Sequence, residues 1–164
     1  SRAGGGTSNG TRGVIAGGNT PAINSIEYIT IASTGNGTDF GDLTAAVNNF
    51  AGTSSPTRAV WGGGWVSPAY VNTMEYVTIA TTGNAQDFGD LITTVADMAA
   101  CGSHIRGMFV AGYSSPTYTN TIQYITIATT GNTQDWGDLV SANIDNELMS
   151  DQGATSDCHG GLSE

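Results

Sequence analysis

Apolar residues in this chain come in short runs closed by glycine, and the runs recur. Arg12-Gly13-Val14-Ile15-Ala16-Gly17-Gly18 is matched by Arg58-Ala59-Val60-Trp61-Gly62-Gly63-Gly64 and by Arg106-Gly107-Met108-Phe109-Val110-Ala111-Gly112. Such a run predicts a buried strand that ends where the backbone turns sharply or approaches a neighbour closely. A second run, Ile26 to Ala32, returns as Met74 to Ala80 and as Ile122 to Ala128. Alternation puts Ile26, Tyr28, Thr30 and Ala32 on one face of the first copy, and Glu27, Ile29 and Ile31 on the other. Both faces are largely apolar, which predicts strands covered by other layers on each side.

Between these runs lies a polar signature. TGNGTDFGDL at 34–43 is followed by TGNAQDFGDL at 82–91 and TGNTQDWGDL at 130–139, so that Gly35, Gly83 and Gly131 stand 48 residues apart. The Gly-Asn pair suits a turn, and the Asp-aromatic-Gly-Asp-Leu stretch after it reads as a short strand. Segments 44–52 and 92–102 carry enough Ala and Val for a helix, but their place before the next Arg run calls for a connector and an opening strand. Gly6 to Arg12 aligns with Gly52 to Arg58, which makes the Gly-rich start the end of a strand plus a hairpin turn. Four strands per unit follow, over 1–43, 44–91 and 92–139. In the extension 140–164, Gly153 to His159 echoes Met98 to His104 and reads as one extra strand, after a loop around Asn146 to Asp151.

The order Arg, apolar strand, Gly-Gly, Glu-x-Tyr strand, aromatic-x-x-Leu resembles the kelch motif. Phe40, Phe88 and Trp136 stand where kelch repeats usually place a Trp. The TGNxxDFGDL variant resembles tandem kelch-like repeats in large structural proteins of tailed bacteriophages, notably those infecting marine bacteria. The resemblance covers residues 1 to 139 and departs at Gln123, which replaces Glu27 and Glu75, and at Ala111, which replaces the first Gly of a pair. It implies an all-β fold of three four-stranded β-propeller blades. It also implies a non-enzymatic module of a virion, in an extracellular tail fibre or adhesin that meets other virion subunits and a host surface glycan. A lectin-like module of a bacterial surface protein and a purely structural fibre or decoration protein are the alternatives. Propellers generally need four blades or more, so three leave two apolar ends open. Completion of one ring by several chains, a fragment, or a stacked solenoid or prism would each answer this. Cyclic self-association removes the exposed edges most economically and leads us to expect a homo-oligomer.

Charge narrows the partners. The chain has no Lys, and four Arg face fourteen acidic residues for a formal charge of −10. Nucleic acid backbones and anionic membranes depend on Lys/Arg clusters and are excluded as expected partners. No apolar run approaches the roughly 20 residues needed to cross a bilayer. The start has neither a charged nor an apolar signal region, and without an initiator Met it suits a processed product or an ordered piece of something longer.

Candidate chemistry is sparse. The pairs Asp39/Asp42, Asp87/Asp90 and Asp135/Asp138, with Asn36, Asn84 and Asn132 upstream, offer the hard oxygens of a Ca²⁺ site. Their recurrence in every unit favours a structural role, capping turns and accepting from backbone or from Arg12, Arg58 and Arg106. Cys101 and His104 with Cys158 and His159 form a Cys₂His₂ set whose spacing resembles no zinc finger, so no metal is assigned; a Cys101–Cys158 disulfide requires an oxidising compartment. No nucleophile elbow is present and the DFG triplet lacks the rest of a kinase, so no enzyme and no cofactor are expected. The segments before the Tyr strand vary most. They place Trp65, Tyr70, Tyr113 and Tyr118 on loops, where rings can stack on sugar faces or pack on a neighbouring unit. Trp61, inside a strand, reads as packing.

Overall fold

A computed structural model describes residues 5–18, 21–140 and 154. Among them every regular element is a β-strand, and three four-stranded antiparallel sheets follow one another along the chain. The first holds β1 (Gly6–Ser8), β2 (Arg12–Gly18), β3 (Ile23–Thr30) and β4 (Thr38–Asp42). The second begins with β5 (Ala51–Ser54) and β6 (Arg58–Gly62). It is interrupted by a separate two-stranded hairpin, β7 (Trp65–Val66) with β8 (Ala69–Tyr70), and ends with β9 (Thr73–Thr78) and β10 (Gln86–Asp90). The third holds β11 (Ala99–Gly102), β12 (Arg106–Ser114), β13 (Thr117–Thr126) and β14 (Gln134–Asp138). Residues 44–50 and 92–98 contain no helix and connect one sheet to the next. The expected strand at Gly153 to His159 and the 146–151 loop lie outside the described residues.

Local chemistry explains the first hairpin of each sheet. The side-chain oxygen of Asn9 accepts from the amides of Thr11 and Arg12, Ser55 Oγ does the same for Thr57 and Arg58, and Ser103 Oγ for Ile105 and Arg106. Each turn is thus closed by a short polar side chain two residues before the chain reverses.

The last hairpin of each sheet contains a bulge, and this gives the Asp-aromatic-Gly motif its meaning. Pairing passes from Ile26↔Gly41 to Glu27↔Asp39, which leaves Phe40 without a partner in the ladder. Phe88 and Trp136 are left out in the same way. A bulge bends its strand and re-aims one side chain. Here it sends an aromatic ring out of the sheet, and Phe40 and Phe88 are each only 2% exposed.

Two cores lie between successive sheets. In the first, Val14, Ala16, Ile26 and Phe40 meet Ala59, Trp61, Val77 and Ile79. In the second, Val60, Met74 and Phe88 meet Phe109, Ile125 and Ile127. Each large side chain so buried contributes about 1.5–3 kcal/mol. Trp61 also donates Nε1–H to the Gly5 carbonyl at 3.0 Å.

Coverage of both faces holds for the middle sheet only. Ile79 is 0% exposed, but its counterpart Ile31 is 50% exposed because none of the described residues forms a sheet before the first. Trp136, the counterpart of Phe40 and Phe88, is 53% exposed because none of the described residues forms a sheet beyond the third.

Candidate functional site

The four aromatic residues singled out from sequence form one row. Trp65 and Tyr70 face each other across the β7–β8 hairpin, and Tyr113 and Tyr118 face each other where β12 joins β13. The ring centroids run Trp65 to Tyr70 at 4.7 Å, Tyr70 to Tyr113 at 5.4 Å and Tyr113 to Tyr118 at 5.0 Å. Tilted and edge-on pairs of this kind are each worth about 0.5–1.5 kcal/mol beyond the area they bury. The segments are strands rather than the loops the sequence suggested, since cross-strand ring pairs hold them extended. All four rings are half-buried, flanked by the exposed tips Ser67-Pro68-Ala69 and Ser115-Pro116-Thr117.

The connectors fix the row from beneath. Trp65 exchanges both backbone hydrogen bonds with Asn48, at 2.8 and 3.2 Å, and Tyr113 does so with Ala96, at 2.8 and 3.0 Å. The contact from Tyr70 to Tyr113 therefore bridges the β7–β8 hairpin to the third sheet. The corresponding stretch of the first unit, Asn19-Thr20-Pro21-Ala22, supplies no ring, so the row begins at the second sheet. A cavity of about 150 Å³ opens between the connector that leaves the first sheet and the second unit, lined by Leu43, Val47, Trp61, Val66, Val71 and Glu75. The Glu75 carboxylate is engaged there by the amide of Thr44 at 3.1 Å and by the Thr44 hydroxyl.

The repeat-defining polar residues join sheet to sheet. Arg12 lies 4.5 Å over the Tyr28 ring while its Nη1 donates to the carbonyls of Ile79 and Ala80, at 2.9 and 3.1 Å. Arg58 lies over Tyr76 and donates to Ile127 and Ala128. Arg106 lies over both Tyr124 and Trp136. The alternative in which arginines pair with the Asp carboxylates is thus corrected for Arg12 and Arg58: each guanidinium, stacked on a tyrosine, reaches the next sheet's backbone instead.

Asn84 Oδ1 accepts from the Asp42 amide at 3.0 Å, and Asn132 Oδ1 from the Asp90 amide at 3.0 Å. Two of the oxygens proposed for Ca²⁺ are therefore committed to backbone. Asp39, Asp42, Asp87, Asp135 and Asp138 are exposed and Asp90 half-buried, and Asp135 turns back to accept from the Gly137 amide at 3.0 Å. Among the described residues no three His, Cys, Asp or Glu side chains group as metal ligands would; Cys158 and His159 lie outside them.

Sequence reasoning found the rings but missed their union into one row. It also missed the role of Asn84 and Asn132. The 48-residue recurrence of that Asn was the available signal, since a group repeated in every unit suits a bond between units.

No family model and no curated protein matches this chain. Among solved structures, one described as "Structure of YjhT" superposes with a TM-score of 0.64 at 8% identity, covering 80% of this chain and 50% of that one. This chain therefore spans about half the length of that structure. At such identity the likeness is one of fold, and that fold is all-β and β-propeller-like.

Proposed function

We propose that the row Trp65–Tyr70–Tyr113–Tyr118 is a recognition surface for saccharide, carried on a non-enzymatic, kelch-like structural module. The observation behind this reading is the row itself: four half-buried rings in continuous contact, held by paired strands and bordered by small polar residues. Rings so held present apolar edges and faces at little entropic cost, and neighbouring Ser and Thr hydroxyls suit the polar rim of a sugar. Location in a virion, in a tail fibre or adhesin that meets a host glycan, follows from the resemblance of the repeat to phage structural proteins. The lectin-like module of a bacterial surface protein uses the same row.

Glycan-array binding by the intact chain tests the reading, with Tyr70→Ala and Tyr113→Ala as variants and circular dichroism to verify folding. Binding lost in both folded variants is the expected result. An array without a bound glycan would instead favour a purely structural fibre or decoration protein, and hydrolysis of a polysaccharide by clean protein would overturn the non-enzymatic assignment.

A further inference from the structure

Both junctions between sheets are built from the same parts, and the described residues carry one unfilled half of that junction on each side. The leading sheet offers an aromatic bulge, an Arg, and the backbone around its last Asp. The following sheet offers an aliphatic pair and a Thr-Gly-Asn turn. Phe40 O accepts from the Gly83 amide at 2.7 Å, and Asp42 O from the Ala85 amide at 2.8 Å. The next junction repeats both, from Gly131 to Phe88 at 2.7 Å and from Thr133 to Asp90 at 2.9 Å. A side-chain acceptor closes each one: Glu75 takes the Thr44 amide, and Gln123 takes the Ile92 amide at 3.0 Å.

The third sheet carries the leading half with nothing against it among the described residues. Trp136 is 53% exposed and Val140, the counterpart of Thr44 and Ile92, is 98% exposed. The first sheet carries the following half, with Ile15, Ile29 and Ile31 exposed and Gly35, Asn36, Gly37 and Glu27 at the positions that bond elsewhere.

One glycine marks the vacancy. Gly41 and Gly89 have φ of +145° and +138°, and a Cβ on either would collide with the backbone of the next sheet's turn at Gly83 or Gly131. Gly137 keeps the same conformation, φ +137°, yet a Cβ there would meet nothing within 4 Å. The third sheet is thus shaped for a turn that its own chain does not supply among the described residues.

We infer that a second copy of this chain fills that place. The third sheet of each copy receives the first sheet of the other, and two copies close one ring of six sheets. Trp136 packs against Ile29 and Ile31 of the second copy, Arg106 reaches the carbonyls of Ile31 and Ala32, and Asn36 Oδ1 accepts from the Asp138 amide. The two ends are complementary to each other and neither is complementary to itself, so each joint pairs unlike faces, the two joints are related by a two-fold axis, and only closure removes both open faces. Two is the smallest number of copies that closes such a ring, and this chain covers 50% of the propeller-like structure it superposes on. The inference does not rest on the saccharide reading.

Light scattering by the full 164-residue chain over a range of concentrations tests it. The expected mass is twice 16.7 kDa. Trp136→Asp and Ile31→Asp, each at a position exposed in the single chain, should both give the single-chain mass with an unchanged circular dichroism spectrum. A single-chain mass at every concentration overturns the inference, as does any mass other than two chains. Loss of association in only one of the two Asp variants overturns it as well, since that is the signature of a like-to-like contact.

Discussion

Arg58 lies 4.6 Å above the ring of Tyr76 and donates through one nitrogen to two carbonyls of the next sheet, Ile127 at 3.1 Å and Ala128 at 2.9 Å. Stacking and hydrogen bonding reinforce each other here, because the ring holds the guanidinium within reach of both carbonyls. Arg58→Ala should lower stability by about 2–3 kcal/mol in urea unfolding. Arg58→Lys should recover only part of that, as an ammonium cannot both stack as a plane and hold the same carbonyls. Equal stability of the Lys variant and the parent would refute the stacking account.

The bulged aromatics separate burial from sequence. Phe88→Ala empties a site 2% exposed and should cost about 3–5 kcal/mol. Trp136→Ala removes a larger ring from the equivalent position, yet at concentrations where the chain is single it should cost about 1 kcal/mol or less, because that ring is half in water. Chemical unfolding of both variants at low protein concentration measures the difference. Equal costs would mean that Trp136 is covered within its own chain.

Much of this architecture could be read from residues 34–43, 82–91 and 130–139, because a fixed interval with glycines and an aromatic anchor constrains the strand count of each unit. What could not be read was position along the series. Ile31 and Ile79 look alike in sequence, and so do Phe88 and Trp136, but burial depends on whether another sheet stands beside them. The aromatic row escaped for a related reason. Tyr70 and Tyr113 belong to different units, and a pattern compared within units does not report contacts across them. The recurrence of the Asp pairs pointed to a structural role without showing which atoms carry it. In the structure it is the backbone of Asp42 and Asp90 that is used, by the Asn of the following turn.

Gln123 shows why one repeat departs from Glu. It is 2% exposed, and its Oε1 accepts from the Ile92 amide at 3.0 Å and from the Thr133 hydroxyl at 2.7 Å. Glu75, at the same place in the second sheet, is only half-buried. Gln123→Glu would bury a charge and should destabilise by about 1–3 kcal/mol at pH 7. Burial raises the carboxyl pKa of the folded variant above the unfolded value of about 4.3, so the deficit should be absent below that pH and grow as pH rises. Thermal unfolding of variant and parent from pH 4 to 7 tests the sign; a deficit that grows on acidification would contradict it.

Salt should act on association opposite to the way it acts on a charge-driven complex. Each chain carries a formal charge of −10, whereas the inferred contact is made of apolar side chains and backbone groups. Raising ionic strength from about 20 to 150 mM shortens the screening length from about 20 to 8 Å and should tighten the pair several-fold. Weakening with salt, read by sedimentation at both strengths, would point to ion pairs across the contact.

The bulge has an evolutionary consequence. Because the ring at Phe40 or Phe88 leaves its own sheet to finish a joint with the next, a repeat unit carries the leading half of one joint and the following half of another. Duplicating or deleting a unit in the gene therefore leaves every surviving joint whole, with no compensating substitution required. Such a lineage can lengthen or shorten one unit at a time, and selection then acts on how many units there are before it acts on which residues they contain.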